Sequence, residues 1–343
     1  MAKLKEIAEI TGLSVPTVIH ILGTRGHLYR EATRQRVLAA ANDLGYKPNA
    51  SAKAMRSGRF GGIGLLLSTA RNRSDLPMEL LEGIQEKLGL HDLTLSLASL
   101  PDQKLTSETY LPKILRELAV DGLIVNYTHF IPADMLKIIG ENKIPAVWVN
   151  TKHPVDCVYT DDFEASQRAT EKLLELGHRR IVYVDFQTVY GEKNLHYSVA
   201  DRFGGYSAAM NAAGLKPRGV WRDEKLSPAE RTALAKELLQ SPDRPTAVVS
   251  YSAWMDTMPL MIAARDLNLE VPRDLSMITF SRDLFDAWGQ PVTTMVIPTR
   301  EVGEIATDML LNRINATTEK DQPSKVLHLS MEEGSTLSKA PAA

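Results

Sequence analysis

The sequence predicts a small all-α N-terminal unit joined to a larger α/β body built on parallel sheet, and three observations predict it. Two short amphipathic segments near the N-terminus flank a tight turn. From Gly62 onward, short β-rich apolar runs alternate with helical stretches. Charge is also split: Met1 to Phe60 holds 10 Lys plus Arg against 4 Asp plus Glu, or +6, while the other 283 residues hold 30 against 38, or -8. The net charge of -2 hides this division. A basic head on an acidic body is the asymmetry expected when one end docks on phosphates. At 343 residues and 44% hydrophobic, the chain can bury a sizeable core and should hold two or three domains.

The first helix is predicted from Leu4-Lys5-Glu6-Ile7-Ala8-Glu9-Ile10 and the second from Val15 to Leu22, with Thr11-Gly12-Leu13-Ser14 between them. Ala8 is small where the helices meet, and Gly12 permits the turn. Ile7, Leu13, Val18 and Ile21 fall where the two helices share a core. Ser14 is a good N-cap, and Pro16 sits in the first turn, where a missing N–H is tolerated. This is the helix-turn-helix pattern. A third helix is expected from about Glu31 to Leu44, with Val37, Leu38, Ala41 and Leu44 at helical spacing and Gly45 as the stop. The plain alternative is a three-helix bundle with no partner, which the basic charge and the following segment disfavour.

That segment runs Gly45-Tyr46-Lys47-Pro48-Asn49-Ala50-Ser51-Ala52-Lys53-Ala54-Met55-Arg56-Ser57-Gly58. With Leu4 to Ala8 and Val15-Pro16-Thr17-Val18, it resembles the LacI/GalR family of transcription regulators. The resemblance implies a headpiece over 1–46 and a hinge over 47–60 that folds into a helix when two subunits sit on an operator. Paired hinge helices enter the minor groove there with an apolar wedge, at the position of Met55. Implied DNA contacts are Thr11, Ser14, Val15, Pro16, Thr17 and His20 in the headpiece and Asn49, Ala52, Met55 and Arg56 in the hinge. Three positions depart from the family pattern. His20 replaces a common arginine, Ile19 a usual serine and Gly23 a usual asparagine, so the preferred half-site should differ from the family's commonest operators.

In the body, strands are predicted at Ile63 to Leu67, Leu93 to Leu97, Leu123 to Asn126, Ala146 to Val149, Ile181 to Val184, Ala247 to Val249 and Ser276 to Phe280. Helices are predicted at Met78 to Leu88, Thr109 to Leu118, Phe163 to Leu176, Ala200 to Ala213, Pro228 to Leu239 and Asp256 to Leu267. Family-like stretches continue through Asp121 to Val125, Ile144 to Val147, Leu176-Gly177-His178-Arg179-Arg180-Ile181, Asp201 to Tyr206, Val271 to Ser276 and Thr293-Thr294-Met295. The resemblance implies a periplasmic-binding-protein-like core of two doubly wound parallel-sheet subdomains, three crossovers and a ligand cleft. The expected division is 61–160 with 290–323, and 161–289 with 324–343.

Ligands in such sheets sit at the carboxyl ends of strands. Arg202 matches the arginine that holds a ligand hydroxyl or carboxylate in relatives; the alternative is an ion pair with Asp201 or Asp185. Asn126 and Asn150 follow strand ends, and each could instead be a turn residue. Phe163 and Trp254 could stack on a sugar face or simply be core, and Ser281 completes the expected effector set. Thr279-Phe280-Ser281-Arg282 stands where the family has Gly-aromatic-Asp-Asp, and Tyr251-Ser252-Ala253-Trp254 where it has Asn-Asp. Arg282 would favour an anionic group if it faces the cleft.

Other classes lack support in the residues. Gly58 to Gly64 is glycine-rich, but its glycines precede the strand, whereas a dinucleotide loop needs them after it. No Walker loop, Gly-x-Ser-x-Gly elbow or His-Glu-x-x-His motif occurs, so no enzyme, metal or cofactor is expected. Cys157 is the only cysteine, which excludes an internal disulfide and fits a reducing cytoplasm. No leader-like or membrane-spanning apolar stretch is evident. The expected partners are double-stranded operator DNA, a small-molecule effector and a second copy of the chain; a tail without leucine heptads argues against a tetramerising coiled coil.

Overall fold

The computed structural model describes residues 4–23, 25–46, 59–68, 74–100, 120–128, 133–141, 143–190, 192, 195–316 and 321–341. Two compact units emerge, Met1–Phe60 and Gly61–Ala343. The hinge positions Asn49, Ala52, Met55 and Arg56 and the helix expected at Thr109 to Leu118 lie outside the described residues.

The small unit holds α1 (Leu4–Thr11), α2 (Val15–Leu22), a 3-10 turn (Gly26–Leu28) and α3 (Glu31–Asp43). Gly12 takes φ +63° and Gly45 φ +58°, left-handed conformations that turn the chain after α1 and α3. Ile7, Ala8, Val18, Ile21, Val37, Ala40 and Ala41 form the core. Leu38, expected to share it, is exposed, and Ala40 takes the inward position.

The large unit contains two six-stranded sheets. The first has strand order β13-β5-β4-β3-β1-β2, all parallel, from β1 (Gly62–Ser68), β2 (Thr94–Leu100), β3 (Gly122–Asn126), β4 (Ala146–Val149), β5 (Cys157–Thr160) and β13 (Lys325–Leu327). Helices α4 (Met78–Leu90) and α10 (Thr299–Asn315) cover one face and α5 (Ala133–Glu141) the other. Helices α4 and α10 touch backbone to backbone: a Cβ on Gly83 would lie 2.1 Å from the Arg300 carbonyl oxygen, so only glycine fits.

The second sheet has order β14-β12-β9-β8-β6-β7, from β6 (Ile181–Val189), β7 (Gly219–Arg222), β8 (Ala247–Ser250), β9 (Ser276–Ser281), β12 (Thr293–Val296) and β14 (Ser330–Glu332). Only β14 runs antiparallel to its neighbour. Side chains alternate across it as a strand's period of two requires. Ile181 and Tyr183 face α6 (Asp162–Glu175) and α7 (Tyr197–Ala212), while Val182 and Val184 face α8 (Pro228–Gln240) and α9 (Met258–Asp266). A short hairpin, β10 (Asp286–Ala287) with β11 (Gln290–Pro291), follows β9.

The chain passes between sheets three times: from β5 to α6, from β12 to α10 and from β13 to β14. This alters the expected division. Residues 293–296 pair with β9 in the second sheet, not the first, and residues 325–327 pair with β5 in the first, not the second. Strand β12 must finish the second sheet before α10 can return to pack on α4. The helix expected from Asp256 begins as a π-helical turn, Ala253–Thr257, and becomes α-helical at Met258. Among the described residues, no helix is long and apolar enough to cross a membrane.

Candidate nucleic-acid interface and inter-sheet cleft

In the small unit, Ser14 caps α2: its hydroxyl accepts the Thr17 N–H at 3.3 Å and meets the Thr17 hydroxyl at 2.8 Å. Ser14 and Pro16 are exposed, and Thr17 and His20 are half-buried, so the start of α2 and its outer flank are open to a partner. Val15 is shared, packing partly on the core. Thr11 does not belong with them. Its side chain is buried, and its hydroxyl donates to the Ile7 carbonyl at 2.6 Å, tying off the end of α1. Sequence reasoning missed Tyr29, whose hydroxyl lies 3.1 Å from His20 Nδ1.

In the large unit, residues that follow the strands of the two sheets approach one another, Arg282 with Asp75, Lys152 with Asp201 and His196 with Asn150. On the first-sheet side, Asn126 is fully buried. Its Nδ2 donates to the Asp75 carbonyl at 2.6 Å, and its Oδ1 accepts Asn150 Nδ2 at 2.7 Å. Asn150 adopts φ +59°, a left-handed turn that asparagine tolerates. The two asparagines therefore knit the ends of β3 and β4 together.

On the second-sheet side, Arg202 of α7 is buried. Its Nε donates to Asp162 Oδ1 at 2.7 Å and its Nη1 to the Tyr251 carbonyl at 2.6 Å. The guanidinium lies 4.7 Å from the Tyr251 ring centre and 4.1 Å from that of Phe280. Neither Asp201 nor Asp185 is its ion-pair partner. Asp201 holds Lys152, and Asp185 accepts the Gln187 and Thr188 N–H groups and the Tyr190 hydroxyl. Asp256, also buried, accepts the Ser252 N–H and hydroxyl. Burial and then the neighbouring Asp185 carboxylate push Asp256 up to about 8. The buried Tyr183 hydroxyl beneath them has no hydrogen-bond partner.

The remaining expected residues divide. Ser281 ends β9 with its hydroxyl 3.3 Å from Asp283, and the next residue, Arg282, reaches across the cleft to pair with Asp75. Lys152 with Asp201, and the Asn150 carbonyl with His196 Nε2 at 3.2 Å, make two further contacts across it. Phe163 opens α6 half-exposed, with its ring against Gly204. Trp254 does not join Arg202: it is 67% exposed and packs edge-on against Phe285, which belongs to the core under α8 and α9. Arg202 lies instead among the residues of the opposite sheet face.

A three-helix head with a capped second helix, joined to two parallel sheets crossed three times, defines a class in which a nucleic-acid-binding unit accompanies a solute-binding core. Residues 3–49 match the bacterial regulatory proteins of the lacI family, and residues 170–336 match the periplasmic binding protein-like domain. The chain thus pairs a lacI-family N-terminal unit with a periplasmic-binding-protein-like domain. It is 27% identical over 338 residues to the HTH-type transcriptional repressor PurR of Photobacterium profundum, covering 97% of each chain. To the HTH-type transcriptional regulator RegA of Clostridium saccharobutylicum it is 28% identical, covering 97% of this chain and 99% of the relative. Its fold superposes on the lac repressor dimer bound to operator and the anti-inducer ONPF with a TM-score of 0.76, at 21% identity and 98% coverage of each.

Proposed function

We propose that the chain is a homodimeric transcription repressor acting in the cytoplasm, whose operator affinity is set by a small molecule in the inter-sheet cleft. The observation that carries the reading is the capped α2, with Ser14, Pro16, Thr17 and His20 along its open side in a lacI-family unit. Two headpieces related by two-fold symmetry read adjacent half-sites of a pseudo-palindrome. Residues 47–60 serve as the hinge, with Asn49, Ala52 and Arg56 on DNA and Met55 as the minor-groove wedge.

The effector is a carbohydrate or related metabolite held at the strand ends by Asn126, Asn150, Ser281 and the Arg202 cluster. Each of these groups already has protein partners, so an effector that displaces some of them alters the angle between the two sheets. Coupling of about 1 to 3 kcal/mol suffices for such a switch. The chain is not assigned a catalytic role.

Sequencing of DNA fragments selected by the purified full-length protein tests the reading. A pseudo-palindromic site should be enriched, and its affinity should change when metabolites are titrated. Fragments indistinguishable from the input pool at low salt would overturn it.

A further inference from the structure

His20 offers DNA a ring with two different edges, and the small unit controls which edge it shows. Gly26 brings the 3-10 turn against α2: a Cβ there would lie 2.7 Å from the Ile21 carbonyl oxygen. The chain then turns through the Tyr29 N–H, which donates to the Gly26 carbonyl at 3.1 Å. Tyr29 packs on the headpiece core, so its ring is anchored. Its hydroxyl reaches His20 Nδ1 at 3.1 Å, with the two rings 6.5 Å apart and tilted by 43°.

A neutral imidazole carries one hydrogen, on Nδ1 or on Nε2, and the partner of one nitrogen decides the state of the other. A phenol is the better donor of the two groups and an unprotonated ring nitrogen the better acceptor. Tyr29 therefore donates, Nδ1 accepts, and Nε2 bears the hydrogen. In the major groove, guanine N7 and O6, adenine N7 and thymine O4 accept such a hydrogen, whereas cytosine offers only its amino donor.

We propose that Tyr29 is a specificity-positioning residue: it fixes His20 as an Nε2–H donor and so excludes cytosine at the base His20 faces. This rests on the reading of the small unit as DNA-binding. No effector and no second site on DNA is involved.

Two measurements on the full-length protein test it. In fragment selection, His20→Ala should lose the base preference at one position of each half-site. Tyr29→Phe, which keeps the ring and its packing, should hold affinity for the best site within about three-fold while discrimination against cytosine there falls about five-fold, the size of one hydrogen bond. An unchanged Tyr29→Phe preference at the position His20→Ala alters would overturn the proposal and leave DNA binding standing. In 15N-histidine spectra without DNA, with the His20→Ala spectrum assigning the signal, wild-type His20 should show the Nε2–H pattern and Tyr29→Phe a mixed one. An Nδ1–H pattern in the wild type would also overturn it. If the wild type selects no sequence at all, the function itself fails, whatever the spectra show.

Discussion

Helix α2 and the cluster around Arg202 both carry polar side chains, but they satisfy them in opposite ways. Along α2, Ser14 is exposed and pairs with Thr17 beside it, and half-buried His20 meets Tyr29 through one ring nitrogen. Around Arg202, nearly every polar atom is already bonded to protein and shut away from solvent. Polar groups at a solvent-facing helix side exchange with water at little cost and can be re-paired by whatever docks there. A buried cluster does the reverse: it holds geometry, and it responds only when something displaces a bond.

The sharpest way to break this contrast is Arg202→Ala. It strands Asp162 inside the second-sheet half, and losing one partner of a buried pair costs about 3 to 5 kcal/mol. Urea denaturation should show a loss of that order; a loss below about 1 kcal/mol would mean that Arg202 does not anchor the cluster.

His178 supplies the second test. It is buried, with Nδ1 2.9 Å from the Thr246 hydroxyl and Nε2 3.1 Å from both the Ser276 hydroxyl and the Ser338 carbonyl. His178→Ala leaves those groups short of a partner and should cost about 1 to 3 kcal/mol. Burial lowers its pKa, so the unfolded chain binds a proton first. Its contribution is present above the unfolded value of about 6.5 and is lost as pH falls through the folded one. Asp256 has the opposite sign: its raised folded value makes its contribution full below the unfolded value of about 4 and lost as pH rises through about 8. Melting temperature should therefore fall between about pH 6.5, above which His178 no longer opposes it, and about pH 8, then level off, and Asp256→Asn should flatten that slope; an equal slope in both proteins would remove Asp256 as the cause.

Smaller effects test the open side. Ser14→Ala removes the α2 cap and should cost about 1 kcal/mol, with a matching loss of operator affinity across all sequences in a gel-shift titration. Arg282→Ala removes an exposed pair across the cleft and should change stability by no more than about 1 kcal/mol. On the proposed function, its larger effect should be a shifted midpoint of the metabolite response in a reporter assay.

The head was legible because its signals are local. A cap, a glycine turn and helical spacing all fall within about two turns of chain, and each specifies one conformation. The long strands were legible for the same reason. The four-residue strands β4 and β8 were legible as apolar runs, whereas β5, β7, β12, β13 and β14, equally short or shorter, carry polar or charged residues that break the run, and helices α5 and α10 were not foreseen. The residues around Arg202 were nameable, but not their partners. Asp162 lies 40 positions away and Tyr251 49, and no spacing rule links them. Tyr29 escaped notice because an aromatic after a turn resembles ordinary core, and only the fold brings its hydroxyl to His20.

The three passages between the sheets carry a mechanical consequence. Thr160 pairs with Leu327, the Asp161 N–H donates to the Leu327 carbonyl at 2.9 Å, and Ser330 pairs with Val296. The first passage thus adjoins the third, and the third adjoins the second, as strips laid edge to edge. A single strand would act as a swivel, free to twist in any sense; three joined strips act as a door hinge. Strips joined in this way favour folding of the two halves toward one another about one axis over twisting or sliding.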